Sequence, residues 1–340
     1  MKLTIKILYS IETKSLTKIF GDIKAVDDIS FNVENGEIFG FLGPNGAGKS
    51  TTMMILTTLL KPSLGKALVS GFDVMTHPKQ VREEIGYVQQ ESTVDEYLSG
   101  RENLFLQARL HHIPKEQIND RIDEVLDLIE LSDKQHKAVV TYSGGMRKRL
   151  DIAGGLLHRP KVLFLDEPTV GLDIQTRRKI WEYIKKIHKE FEMTLFLSTH
   201  YMEEADQLCD RIGIIDGGKI QVIDTPQNMK NALGNEVISL TIENQCKEKE
   251  FLSAMEKIEL VKKINHDQSK ITLFASKGTE VIPKIFQISA DLKIKIISIS
   301  LTQPTLDDVF ISYTGHEIRD DDGGGFNRKR EHAKMKRIRA

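Results

Sequence analysis

Nine consecutive residues, Gly43-Pro44-Asn45-Gly46-Ala47-Gly48-Lys49-Ser50-Thr51, fit the pattern G-x-x-x-x-G-K-[ST] of a phosphate-cradling loop. The residue types carry the chemistry. Glycines let backbone N–H groups turn inward onto phosphate oxygens, and a helix starting there adds the positive end of its dipole. Lys49 would reach the β- and γ-phosphates, and the Ser50 hydroxyl would sit on Mg²⁺. Further on, Val162-Leu163-Phe164-Leu165-Asp166 is a wholly apolar run closed by a carboxylate. That is the usual place for the Mg²⁺-ordering acid of such folds. Glu167 follows at once and could accept a proton from an attacking water, a role typically worth about 10²–10⁴-fold in rate.

These groups need strands and helices to hold them. Residues 37–42 are apolar enough for a buried strand and residues 50–60 read as a helix, the order a phosphate loop requires. Upstream, residues 11–20 and 29–33 read as two strands around a turn at Gly21-Asp22. Phe20, just before that turn, suits either a core aromatic or a platform for a purine ring. Asn35-Gly36 signals a second turn. Residues 66–70 and 85–88 read as strands, with a turn at Gly71-Phe72-Asp73 between them. Over residues 99–131 the apolar period becomes helical, with Leu104, Leu110, Ile113, Ile118, Ile122, Val125, Leu126 and Ile129 three and four apart. Pro114 marks the start of the second helix of that insert.

Residues 162–165, 194–197 and 212–215 read as strands, and residues 174–190 and 201–209 as helices. Gly217-Gly218 turns into a last strand at 220–223. This alternation predicts an α/β unit with a mostly parallel sheet covered on both faces. Beyond it the character shifts. A short helix at 227–233 follows Thr225-Pro226. Strands at 237–241, 260–264, 270–274 and 294–300, with helices at 247–256 and 280–288, then give the order β-α-β-β-α-β, a split-βαβ unit. The expected organisation is a nucleotide-binding domain over 1–224 with a helical subdomain at about 91–150. A linker at 225–234 and an α+β accessory domain at 235–318 follow. The tail at 319–340, acidic and Gly-rich, then basic, is expected to be solvated and disordered.

Composition sets outer bounds. The chain has 340 residues, 40% hydrophobic and 29% charged, which suits a globular protein of two domains. A net charge of −1 offers no field for nucleic acid, so none is expected as a partner. Cys209 and Cys246 lack metal-ligand spacing and read as packing residues of a reducing compartment. No apolar run approaches the roughly 20 residues of a membrane helix, so service to a membrane would be by docking.

One further segment narrows the class. Ser143-Gly144-Gly145-Met146-Arg147 opens a helix upstream of the Asp166 strand. With the phosphate loop, Asp166-Glu167 and His200, it resembles the ATP-binding cassette (ABC) ATPases. The resemblance implies a P-loop NTPase cassette with an antiparallel β subdomain and a helical subdomain. It also implies roles. Phe20 would stack on adenine, and Gly43, Pro44, Asn45, Gly46, Ala47, Gly48, Lys49, Ser50 and Thr51 would hold the phosphates. Gln90, closing Gly86-Tyr87-Val88-Gln89-Gln90, would sense the γ-phosphate through the metal and the attacking water. Ser143, Gly144 and Gly145 match the signature loop, Asp166 the Mg²⁺ acid, Glu167 the catalytic base, Asp173 the aspartate of the next loop, and His200 the switch histidine.

In this family a signature loop closes over ATP held by a second cassette, which implies a homodimer with two composite sites. The helical insert would touch the membrane partner. Two residues depart from the family pattern: Tyr142 stands where Leu is usual, and Met146 where Gln is.

Gly100-Arg101-Glu102-Asn103-Leu104 is similar to a segment of the daunorubicin-resistance type of exporter ATPase. So is Gln303-Pro304-Thr305-Leu306-Asp307-Asp308-Val309-Phe310 with Thr314-Gly315-His316. This implies a separate ABC-2 type permease, export of an amphipathic compound, and a cytoplasmic location peripheral to the inner face of the membrane. Two alternatives stay open. One is a soluble ABC ATPase acting on ribosomes or DNA. The other is a nucleotide-dependent regulator with the α+β unit as its sensor.

Overall fold

The computed structural model describes residues 9–243, 248–267 and 270–316. Residues 1–8, Cys246 and the tail at 319–340 lie outside them.

The chain opens with a long hairpin, β1 (Tyr9–Phe20) and β2 (Ile23–Glu34), turning at Gly21-Asp22. β3 (Ile38–Leu42) leads into the phosphate loop and α1 (Lys49–Leu56). β4 (Leu64–Val69) and β5 (Phe72–Asp73) complete an antiparallel sheet in the order β2-β1-β4-β5. Phe72 and Asp73, expected in a turn, pair as a strand because the reversal is made one step earlier, at Ser70-Gly71.

α2 (Pro78–Glu84) precedes β6 (Ile85–Val88). α2 buries only Val81, so it shows no apolar period, and the sequence reading has no element there. The insert follows as α3 (Gly100–Leu110) and α4 (Lys115–Leu128), with Pro114 at the N-cap of the second.

α5 (Gly144–Leu156), β7 (Val162–Asp166), α6 (Ile174–Phe191), β8 (Thr194–Thr199), α7 (Met202–Leu208), β9 (Arg211–Asp216) and β10 (Lys219–Asp224) complete the main unit. The central sheet runs β10-β9-β3-β8-β7-β6, parallel except for β10 at its edge. β3, β7 and β8 are buried along their whole length, as strands covered on both faces must be. Between this sheet and the antiparallel one, Phe31, Phe39, Phe41 and Phe196 stack with centroids 5.5–6.4 Å apart. Each such ring contributes about 1.5–3 kcal/mol by leaving water. They brace the strand that carries the loop.

α8 (Pro226–Leu233) connects to the second unit and buries Met229 and Leu233. That unit is β11 (Glu236–Ile242), α9 (Glu248–Glu256), β12 (Val261–Asp267), β13 (Lys270–Ala275), α10 (Gly278–Leu292) and β14 (Ile296–Thr302). Its antiparallel sheet is ordered β12-β13-β11-β14, so β13 lies between β11 and β12 as a split βαβ demands. α11 (Leu306–Thr314) then returns to the first unit. Its Thr305–Asp308 capping box starts the helix, and Leu306, Val309 and Phe310 sink into the core of the first unit.

Candidate nucleotide site

The site forms along one edge of the central sheet, where β3, β6, β7 and β8 end. In an open parallel sheet the crevice outside these carboxyl ends is where ligands bind. β3 delivers the phosphate loop there. Gly48, the N-cap of α1, has φ of +106°, and a Cβ on it would lie 2.4 Å from the Ala25 carbonyl oxygen. No other residue fits that turn, and it aims the first N–H groups of α1 into the crevice.

Lys49 is 4% exposed. Its Nζ donates to the carbonyls of Gly43 at 2.7 Å and Pro44 at 3.1 Å, and lies 3.3 Å from Glu167 Oε1. His200 Nδ1 is 3.3 Å from the same oxygen. Burial pushes the Glu167 carboxyl up, but the His200 contact and the Lys49 charge outweigh it and hold the group below its ordinary value. Burial pulls the Lys49 ammonium down, opposed by Glu167 and Asp166.

Glu167 sits at φ of +45°, a left-handed conformation that non-glycine residues rarely adopt. Ser198 overdetermines it, since the Glu167 N–H is 3.1 Å from both the Ser198 carbonyl and hydroxyl oxygens.

Asp166 ends β7. Its Oδ1 accepts from Ser198 Oγ at 2.5 Å and Ser50 Oγ at 3.2 Å. Burial pushes its carboxyl up, and the Ser198 bond pulls back. Burial and the nearby Asp166 charge also push the Tyr87 phenol up. The hard oxygens of Ser50 and Asp166 suit Mg²⁺, which takes few protein ligands and fills its shell with water and phosphate.

A second set gathers where α5 and α6 begin. Ser143 caps α5 by accepting from Met146 N, and Asp173 caps α6 by accepting from the Thr176 N–H and hydroxyl. A Cβ on Gly145 would lie 2.4 Å from Thr176 Cγ2, so the two helix starts meet only because that side chain is missing. Among the described residues no hydrogen bond joins this set to Lys49, Ser50, Asp166, Glu167 or His200.

Phe20 is 41% exposed at the hairpin tip with Lys18 Nζ 4.9 Å from its ring centre, which removes the core-aromatic alternative. Gln90 is exposed on the loop after β6. Tyr142, by contrast, is buried, its hydroxyl donating to the Lys134 carbonyl at 2.8 Å.

Sequence reasoning passed over Ser198 and Glu204. Ser198 pairs in register with Asp166 across β7 and β8. Two strand ends bearing polar residues were legible, but their pairing was not. Glu204 is fully buried and accepts from Thr169 Oγ1 and Trp181 Nε1, tying the segment after Glu167 to α6 and α7.

The sequence matches two family models. Residues 26–170 match the ABC transporter family, and residues 225–314 match the C-terminal domain of the ATP-binding protein DrrA1-3-like family. It is 38% identical over 319 residues to the daunorubicin/doxorubicin resistance ATP-binding protein DrrA of Streptomyces peucetius, covering 92% of this chain and 94% of that one. It is 34% identical over 315 residues to the linearmycin resistance ATP-binding protein LnrL of Bacillus subtilis, covering 91% of this chain and all of the other.

Among solved structures it is similar to cbiO1 from Clostridium perfringens, part of the ABC transporter complex cbiONQ. The TM-score is 0.62 and the identity 29%, over 66% of this chain and 93% of that one. It is also similar to a dimeric ATP-binding cassette in a post-hydrolysis state bound to ADP and Pi. There the TM-score is 0.57 and the identity 27%, over 63% of this chain and 98% of the other.

Proposed function

Because the chain belongs to the ABC transporter ATPases, within their daunorubicin-resistance type, we propose that it powers export of an amphipathic, drug-like compound through a separate ABC-2 type permease. Two copies would clamp ATP between them at the inner face of the cell membrane. The names of the resistance relatives support the export, and the dimeric cassette with ADP and Pi supports the clamp.

The observation that carries the reading is the contact of Lys49, Glu167 and His200 at one carboxylate oxygen, beside the Ser50–Asp166–Ser198 chain. The γ-phosphate would compete with Glu167 for Lys49. Losing that cation raises the basicity of Glu167 as substrate arrives. Glu167 then takes a proton from water as the water oxygen bonds to the γ-phosphorus and the bridge to ADP breaks, leaving ADP and phosphate. His200 faces the same carboxylate and would contact the γ-phosphate, with Gln90 as the sensor on the neighbouring loop. Mg²⁺, held by Ser50, Asp166 and Gln90, would neutralise charge on the β- and γ-oxygens.

Ser143, Gly144 and Gly145 would offer the start of α5 to the γ-phosphate held by the other copy, with Asp173 alongside. Phe20 would stack on adenine. No observation favours a soluble role on ribosomes or DNA.

The test is Glu167→Gln. It should bind ATP, run at twice the protomer mass on gel filtration with ATP, and lose about 10²–10⁴-fold in kcat. Hydrolysis at the normal rate would reject the base assignment.

A further inference from the structure

α5 does more than present Ser143. Lys148 and Asp151 lie on one face of it, three residues apart, and each is 8% exposed. Lys148 Nζ donates to the carbonyls of Gln89 at 2.7 Å and Gln90 at 3.3 Å. Asp151 Oδ1 accepts from the Thr93 N–H at 3.0 Å and the Thr93 hydroxyl at 3.1 Å. The loop after β6 is therefore strapped to α5 at both ends by four hydrogen bonds, two from a buried ammonium and two to a buried carboxylate. Burying two charges is costly, the more so because Asp151 Oδ2 is buried without a hydrogen-bond partner among the described residues and the carboxylate is held through Oδ1 alone. A surface loop needs no such anchor merely to stay folded.

We propose that Lys148 and Asp151 are positioning residues that make the Gln90 loop and the signature helix one rigid body. Gln90 is itself held by the first anchor through its carbonyl, and five residues of helix, about 7.5 Å, separate Lys148 from Ser143. A shift of Gln90 toward nucleotide in its own site then carries Ser143 with it. One site's occupancy thereby aims the donor that serves the other. This rests on the reading of Gln90 as the γ-phosphate sensor.

The full chain tests it. Lys148→Met keeps the volume and removes the donor. It should lower kcat roughly 10-fold, within the range of coupling mutations, with KM and Tm little changed. Lys148→Arg should recover most of the rate, and Asp151→Asn, which keeps its acceptor oxygen, should stay near wild type while Asp151→Ala does not. In Glu167→Gln, ATP should slow amide exchange over residues 90–93 and 143–147 together. Adding Lys148→Met should keep the first protection and abolish the second.

Wild-type kcat in Lys148→Met, or protection of both segments in the double variant, overturns the strap. So does a kcat loss that tracks a fall in Tm and is not recovered by Arg. Gln90→Ala is the separate control. If it keeps full activity, the sensor reading fails instead.

Discussion

Ser198 links the two acidic residues of the site, bonding the Asp166 carboxylate with its hydroxyl and receiving the backbone N–H of the strained Glu167. Ser198→Ala leaves a buried carboxylate short of a donor and should cost about 1–3 kcal/mol in denaturant unfolding. ATPase activity should fall with it, because Glu167 loses a restraint on its left-handed backbone. An unchanged unfolding midpoint would contradict this. The depressed Glu167 pKa sets a direction for pH. The folded value lies below the ordinary 4.5, so the stabilisation is complete above 4.5 and disappears as pH falls through the folded value. Glu167→Gln should therefore flatten the acid limb of the stability curve. A limb as steep as wild type would show that Glu167 does not carry it. The phosphate loop, Asp166 and Glu167 were legible because residues adjacent in sequence make each motif. Ser198 was not, because it meets Asp166 only through strand register.

The joint between α5 and α6 is set by Gly145 against Thr176. Gly145→Ala forces a methyl into a methyl, and the helix starts must part. The expected cost is about 1–3 kcal/mol, with a loss of ATPase as Ser143 is displaced. Thr176→Ser removes the obstructing carbon and keeps the hydroxyl that Asp173 accepts from. The double variant should thus recover the thermal midpoint and much of the rate. Failure of that rescue would place the sensitivity of Gly145 elsewhere. Long elements were readable from period alone, as α4 and α6 show by their apolar stripes. The polar α2 and the two-residue β5 were not, because they bury too little to leave a pattern.

Both units share apolar core through α8 and α11. The segment Thr305-Leu306-Asp307-Asp308-Val309-Phe310, noted as a family hallmark, is the cap and buried face of α11. Phe310 is fully buried among cassette residues. Phe310→Ala should cost about 3–5 kcal/mol. Calorimetry should show the cassette transition itself moving down. A cassette midpoint that stays put would mean the α11 contact carries no stability.

Local chemistry was written in residue order: a loop that can wrap phosphate, a strand closed by two acids, a helix opened by Ser-Gly-Gly, and a β-α-β-β-α-β alternation. Such features depend on neighbours within a few positions, so composition and period reveal them. Which residues from distant segments meet depended on folding. Parallel pairing brings Asp166 to Ser198, and packing of α5 on the loop after β6 brings Lys148 to Gln90. Those contacts join strand ends and helix faces that no short-range pattern relates.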